Sequence, residues 1–154
     1  MTDPSGVWYN QLGSKMILRA DAATGALTGR YHSRVGDVPR CYDLSGRFDP
    51  HPPSGKGLSL GWAVTYLNTT PPVNSTATWS GQYFNGTIER ILTHWLLTRS
   101  SPVAGVWSST NIGTDTFTRN QPTVDEIAQA RAFTVCSPSP EDIFASMNPA
   151  PDEA

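Results

Sequence analysis

Leu27-Thr28-Gly29-Arg30-Tyr31 sets an apolar residue, a glycine and an aromatic at alternate positions, and the arrangement returns as Leu44-Ser45-Gly46-Arg47-Phe48 and Trp79-Ser80-Gly81-Gln82-Tyr83. Alternate residues of a β-strand point to one side, so in each stretch these three residues share a face. Glycine gives room where neighbouring strands curve, and large rings fill the remaining space. Short strand-like segments follow one another, each closed by turn chemistry such as Asp21 to Gly25, Gly36-Asp37, Asp49 to Gly57 and Asn85-Gly86. Sequential hairpins on that plan predict an all-β protein, an up-and-down barrel, with a β-sandwich as the competing architecture. The proline-rich stretches His51-Pro52-Pro53 and Thr70-Pro71-Pro72 interrupt strands and read as loops.

Extending the two-residue period along the chain gives every strand the same unusual face. It carries Trp8, Asn10, Leu12 and Ser14, then Leu27, Gly29, Tyr31 and Ser33, then Trp62, Val64 and Tyr66. Ser75, Ala77 and Trp79 follow, with Thr93, Trp95 and Leu97, and finally Gly113, Asp115 and Phe117. A purely structural interior avoids so many hydroxyls and amides, because each costs roughly 1–3 kcal/mol when buried without a partner. A small polar ligand resolves the conflict. Asn10, Ser14 and Tyr31 are available as donors, Ser33 as donor or acceptor, and Asp115 as a fixed acceptor. Together they suit a carbonyl oxygen flanked by N–H groups. Trp79, Trp95 and Tyr66 offer flat walls for a compact apolar body, and Ser75 offers a further polar contact. Taken singly, each ring or serine is more readily explained as core; the joint pattern points to a site.

The 154 residues fit one domain. A net charge of −2, with nine Arg and two Lys dispersed along the chain, leaves no basic block for nucleic acid. No apolar run reaches the length of a membrane span, and the start Met1-Thr2-Asp3-Pro4-Ser5-Gly6 lacks the features of a signal peptide. A cytoplasmic protein is therefore expected if Met1 is the native start, and a secreted one if a signal has been removed. Cys41 and Cys136 are expected to be free thiols. The sequons at Asn68, Asn74 and Asn85 are read as chance matches. Thr123-Val124-Asp125-Glu126 has the form of a capping box, with Ile127, Ala130 and Arg131 continuing at helical spacing. A helix of two or three turns is expected there, followed from Ser137 by a flexible, acidic, proline-rich tail.

Catalytic chemistry is not expected. Gly57-Leu58-Ser59-Leu60-Gly61 matches the nucleophile elbow Gly-x-Ser-x-Gly, which needs a sharp turn from strand into helix. Trp62-Ala63-Val64-Thr65-Tyr66 continues as a strand instead, making Ser59 an ordinary strand residue. His32 and His94 project to the face opposite the candidate pocket and His51 lies in a loop, so no triad forms with Asp115. No cluster has zinc-ligand spacing, and no Gly-rich loop opens a helix for phosphate.

Trp8-Tyr9-Asn10-Gln11-Leu12-Gly13-Ser14, Leu27-Thr28-Gly29-Arg30-Tyr31, Trp79-Ser80-Gly81-Gln82-Tyr83, Trp95-Leu96-Leu97-Thr98 and Gly113-Thr114-Asp115-Thr116-Phe117-Thr118 together resemble the streptavidin and avidin family. The resemblance runs in order from Gly6 to Thr118, and the start and the extension around Thr123 to Phe133 are more similar to the tamavidins, avidins of mushrooms. It implies an eight-stranded antiparallel barrel that binds biotin at one open end without a cofactor. Domain limits follow: an extension over 1–5, the barrel over 6–120, a helical segment over 121–136 and the tail over 137–154.

Carried over residue by residue, the resemblance assigns Asn10, Ser14 and Tyr31 to the ureido oxygen, and Asp115 and Ser33 to the two ureido N–H groups. Ser75 and the backbone N–H of Asp37 would take the valerate carboxylate. The loop Val35-Gly36-Asp37-Val38 would close over the ligand, with Leu12, Val35, Tyr66, Ala77 and Leu97 also lining the pocket. Trp79 and Trp95 would pack on the bicyclic ring, and Trp107 would come from a neighbouring subunit, in a homotetramer first and a dimer second. Biotin and biotinylated molecules are thus the implied partners, with sequestration of biotin for defence the implied purpose. Five positions depart from the family. Ala77 replaces a usual threonine near the biotin sulfur, Tyr66 a usual tryptophan, and Asp37 a frequent asparagine, while Asn111 and Thr114 differ at implied subunit contacts. The competing readings are a barrel carrying another small apolar ligand or a glycan, and a serine hydrolase built on Ser59.

Overall fold

The computed structural model describes residues 3–33, 40–67 and 74–133. Val35, Asp37, Cys136 and the acidic tail, together with their expected roles, lie outside the described residues. Eight strands follow in order: β1 (Gly6–Asn10), β2 (Lys15–Asp21), β3 (Ala26–Ser33), β4 (Arg40–Phe48), β5 (Leu58–Tyr66), β6 (Ser75–Phe84), β7 (Arg90–Arg99) and β8 (Thr110–Thr118). Each pairs antiparallel with the next, and β8 returns to β1, so the sheet is a closed barrel. The barrel, not the sandwich, is the fold. The connections β1–β2, β3–β4, β5–β6 and β7–β8 consequently share one end, the upper end below. The other three connections, and the chain's exit after Thr118, share the lower end.

Burial alternates along the strands as the sequence period requires, strictly so in β5 and β7. The inward residues make one core, with Met16 and Leu18 of β2 and Leu44 and Phe48 of β4 joining the faces read from the sequence. The first segment needs one correction. Leu12 is not on a strand, because the chain turns after Asn10: the Gly13 N–H donates to the Asn10 carbonyl at 3.0 Å and the Asn10 N–H to that of Ser14 at 3.0 Å. Leu12 sits half-buried in that turn.

The recurrent glycines mark the closest strand approaches. Gly46 faces Trp62 across the β4–β5 pair, and a Cβ there would lie 2.0 Å from the Gly61 carbonyl oxygen and 2.6 Å from the Trp62 Cα. These are backbone atoms that cannot step aside. Gly29 and Gly81 meet carbonyl oxygens of their neighbouring strands in the same way.

Closure between β1 and β8 is short, resting on the pairs Tyr9↔Thr118 and Asn10↔Phe117, whereas β6 and β7 pair from Ser75↔Arg99 to Phe84↔Arg90. Side chains extend this seam at both ends. At the upper end the Gln11 amide copies a backbone unit: its Nε2 donates to the Thr114 carbonyl at 3.2 Å and its Oε1 accepts from the Thr116 N–H at 3.0 Å. At the lower end Arg119 donates from Nη1 to the Val7 carbonyl at 3.2 Å, lies 3.7 Å over the Trp8 ring, and forms a forked pair with Glu89 at 2.8 Å on both bonds. Gly6, at φ 119°, leaves room for that guanidinium.

The Glu89 carboxyl is thereby held down to about 2, chiefly by the hydrogen bonds from Arg119 and, against the cost of burial, by Tyr83 as well. Its unfolded value is 4.5. A depressed carboxylate contributes stability that is present above pH 4.5 and lost as pH falls toward 2. Thermal melting of the wild type and Glu89→Gln across that window should show the two curves separated at neutral pH and converging near pH 2. A separation that did not change with pH would remove this ion pair from the account.

Beyond β7, a 3-10 turn over Val103–Ser108 precedes β8. After the barrel, α1 (Val124–Phe133) begins at the expected capping box, in which the Glu126 N–H donates to Thr123 Oγ1 at 3.3 Å and the Thr123 N–H to Glu126 Oε2 at 2.7 Å. Cys41 is an exposed free thiol.

Candidate functional site

The upper half of the barrel gathers most of the chemistry read from the sequence. Asp115, on β8, is 1% exposed although it carries a carboxylate. Its partners include three N–H donors: Trp79 Nε1 at 2.9 Å to Oδ2, with Gln11 Nε2 at 3.0 Å and Asn10 Nδ2 at 3.4 Å to Oδ1. A buried carboxylate is tolerated only when it is so satisfied, and three elements of the fold converge to do it. Thr93 on β7 also steadies the strand, donating from Oγ1 to the Asp115 carbonyl at 3.0 Å.

Asn10 is oriented as firmly. Its Oδ1 accepts from the backbone N–H of Ser14 at 2.8 Å and of Leu12 at 3.1 Å, so the β1–β2 turn fixes which way the amide nitrogen points. The Leu12 backbone thus helps to hold Asn10 from the turn. Ser14, just before β2, and Ser33, at the end of β3, are both buried.

Aromatic rings build the walls. Tyr31 lies 5.2 Å from Trp79 and 6.5 Å from Tyr66 between centroids. Below, Trp62 stacks on Trp79 at 5.7 Å and meets Phe117 edge-on, closing the floor. Trp95 is the register partner of both Trp79 and Gly113, and a Cβ on Gly113 would come within 2.3 Å of its ring. Glycine at 113 is what lets that wall lie flat. Toward the mouth, Ala77 and Leu97 face each other across β6 and β7, both buried, with Ser75 above them.

Among the described residues the Trp62 Nε1, the Ser75 Oγ and the Trp95 Nε1 are buried without a hydrogen-bond partner. Such groups cost roughly 1–3 kcal/mol each, and Ser75 lies toward the mouth, where a ligand can engage it. Trp107 is placed apart from the pocket of its own chain, in the turn between β7 and β8 and 97% exposed. The histidines face away from the interior, Ser59 is an exposed residue within β5, and no three His, Cys, Asp or Glu groups among the described residues meet to hold a metal.

Two participants were missed in the sequence. Gln11 would face outward on a straight strand, and only the turn brings its amide back to Asp115. Tyr42 stacks edge-on against Tyr66 at 4.8 Å from the adjoining strand pair; the inward period of β4 through Leu44 and Phe48 was its available signal. Gln11→Ala should lower ligand affinity about tenfold, because Asp115 loses one charge-assisted hydrogen bond worth ~1.5 kcal/mol. Calorimetric titration of that variant checks it, and unchanged affinity would reduce Gln11 to a seam clip.

A family model described as the Avidin family matches residues 1–120. "Avidin-related protein 4/5" of Gallus gallus is 33% identical over 119 residues, covering 75% of this chain and 76% of that protein. "Avidin-related protein 3" of Gallus gallus is 30% identical over 125 residues, covering 79% and 80% respectively.

Proposed function

From its membership of the avidin family, whose proteins bind and do not catalyse, we propose that this chain is a high-affinity binder of biotin, held in a preformed pocket at the upper end of the barrel. The observation that carries the reading is the buried Asp115 carboxylate, held by Asn10, Gln11 and Trp79 among aromatic walls. Biotin's ureido group is a planar carbonyl between two N–H groups. In this reading Asn10, Ser14 and Tyr31 donate to its oxygen, while Asp115 and Ser33 accept its N–H groups. Donors on one side and a carboxylate on the other polarise the ureido group in the same sense, and a dry site strengthens each contact.

The bicyclic ring packs on Trp79 and Trp95, with Tyr66, Ala77 and Leu97 completing the wall. Ser75, buried toward the mouth, takes the carboxylate. Little reordering is needed in a barrel whose polar groups are already fixed by their neighbours, which keeps the cost of binding low.

Trp107 serves a second copy. An indole 97% in water leaves most of a large apolar area unburied, and Leu96 and Ile112, register partners on the outer face of β7 and β8, are 47% and 65% exposed. A homotetramer covers these groups and carries Trp107 to the neighbouring pocket.

Isothermal titration with biotin, with the solution mass measured on the same sample, tests the function. One biotin per chain with a sharp endpoint is the expected result. Absence of heat, with no displacement of bound probes by biotin, would sink the proposal and turn attention to other apolar ligands or glycans. Trp107→Ala should retain the stoichiometry but release biotin roughly 10–100-fold faster, as removal of a buried interfacial tryptophan does at ~1.5–3 kcal/mol. An unchanged off-rate would confine Trp107 to its own subunit.

A further inference from the structure

The lower end of the barrel has a cleft that the proposed ligand site does not use. Its volume is about 650 Å³, and it lies between the β4–β5 connection at Pro52 to Lys56 and the β6–β7 connection with Arg90. The walls are of two chemistries. Lys56 and Arg90 supply two cations and no acidic side chain lines the cleft, while Pro52, Phe84 and Ile88 supply apolar surface. Arg90 lies 6.0 Å over the Phe84 ring, and Ile88 is 67% exposed. The neighbouring acid, Glu89, is committed to Arg119. The ion pairs among the described residues include neither Lys56 nor Arg90.

The chain leaves the barrel beside this cleft, because Thr118 is the register partner of Arg90. Beyond α1, residues 134–154 contain Glu141, Asp142, Asp152 and Glu153 and no Lys or Arg. In Glu141-Asp142-Ile143-Phe144 two acids are followed at once by two apolar residues, the same pairing that the cleft presents. Residues 134–140 separate this segment from α1, a tether of up to ~23 Å.

We propose that the lower cleft is the docking site of the chain's own segment Glu141 to Phe144, its carboxylates on Lys56 and Arg90 and its Ile143 and Phe144 against Phe84, Ile88 and Pro52. The tether makes the contact intramolecular, so an effective concentration on the order of millimolar lets weak interactions hold it. The contact is partly electrostatic and weakens as salt rises. It leaves the upper mouth of the barrel open.

The test uses the full-length protein and follows chymotryptic cleavage after Phe144 by mass spectrometry. Lys56→Glu, a change in an exposed loop, and Glu141→Lys should each speed cleavage about fivefold, as loss of ~1 kcal/mol of charge pairing does. Combining the two changes should restore slow cleavage. Equal rates in all four proteins would overturn the proposal. Protection that grew with protein concentration would overturn it too, placing the segment on a neighbouring copy.

Discussion

Asp115→Ala is expected to weaken biotin binding by roughly 30–5,000-fold, which corresponds to the ~2–5 kcal/mol that truncating the charged partner of a buried, hydrogen-bonded contact costs. Two losses combine. The ligand N–H groups lose their acceptor, and the donors that Asp115 now holds, on Trp79, Gln11 and Asn10, lose the group that aims them. Asn10→Ala should act in the same direction by a smaller factor, because its amide is one of several donors to the ureido oxygen. Titration calorimetry measures both, and thermal melting of the same samples confirms that the barrel persists. Biotin affinity near that of the wild type in both variants would show that the polar cluster is not the binding site.

Gly46→Ala is expected to be among the most damaging small substitutions outside the site. A methyl group 2.0 Å from the Gly61 carbonyl oxygen and 2.8 Å from the Trp62 Cβ requires β4 and β5 to separate. Over-packing of a well-packed core costs ~1–3 kcal/mol when side chains can adjust; here the obstacle is backbone, so a loss at or above the upper limit is expected. Trp62 floors the pocket against Trp79, and ligand affinity should fall along with stability. Denaturant melts read the first and calorimetry the second. A midpoint within ~0.5 kcal/mol of the wild type would show that the strands yield there more easily than their register allows.

Strand alternation made the inward faces legible because burial obeys the same period over most of the barrel: Trp62, Val64 and Tyr66, or Thr93, Trp95 and Leu97, need only their spacing to be placed. The recurrent glycines were legible for the same reason, as gaps in an otherwise bulky face. What escaped were contacts that depend on a turn or on distant chain segments. Leu12 reads as a strand residue until the hairpin after Asn10 is known. Gln11 reaches partners more than one hundred positions away, and Arg119 reaches Val7, Trp8 and Glu89 from beyond the last strand. No local periodicity carries such information. The roles of Val35 and Asp37 come from the resemblance, since no two-residue pattern in the sequence carries them.

The short seam between β1 and β8 has a mechanical consequence. The start of β1 and the end of β8 lie together at the lower end, so tension applied through the two ends of the barrel would peel the strands apart like a zipper, not slide one along the other. Hydrogen bonds in that geometry carry the load one after another, beginning with Arg119 on Val7, then Tyr9 with Thr118 and Asn10 with Phe117, and ending with the Gln11 clip. Asp115, one step beyond Phe117 toward the mouth, is among the last seam residues to feel the pull. A barrel anchored to a surface by either end would begin to rip far from its ligand.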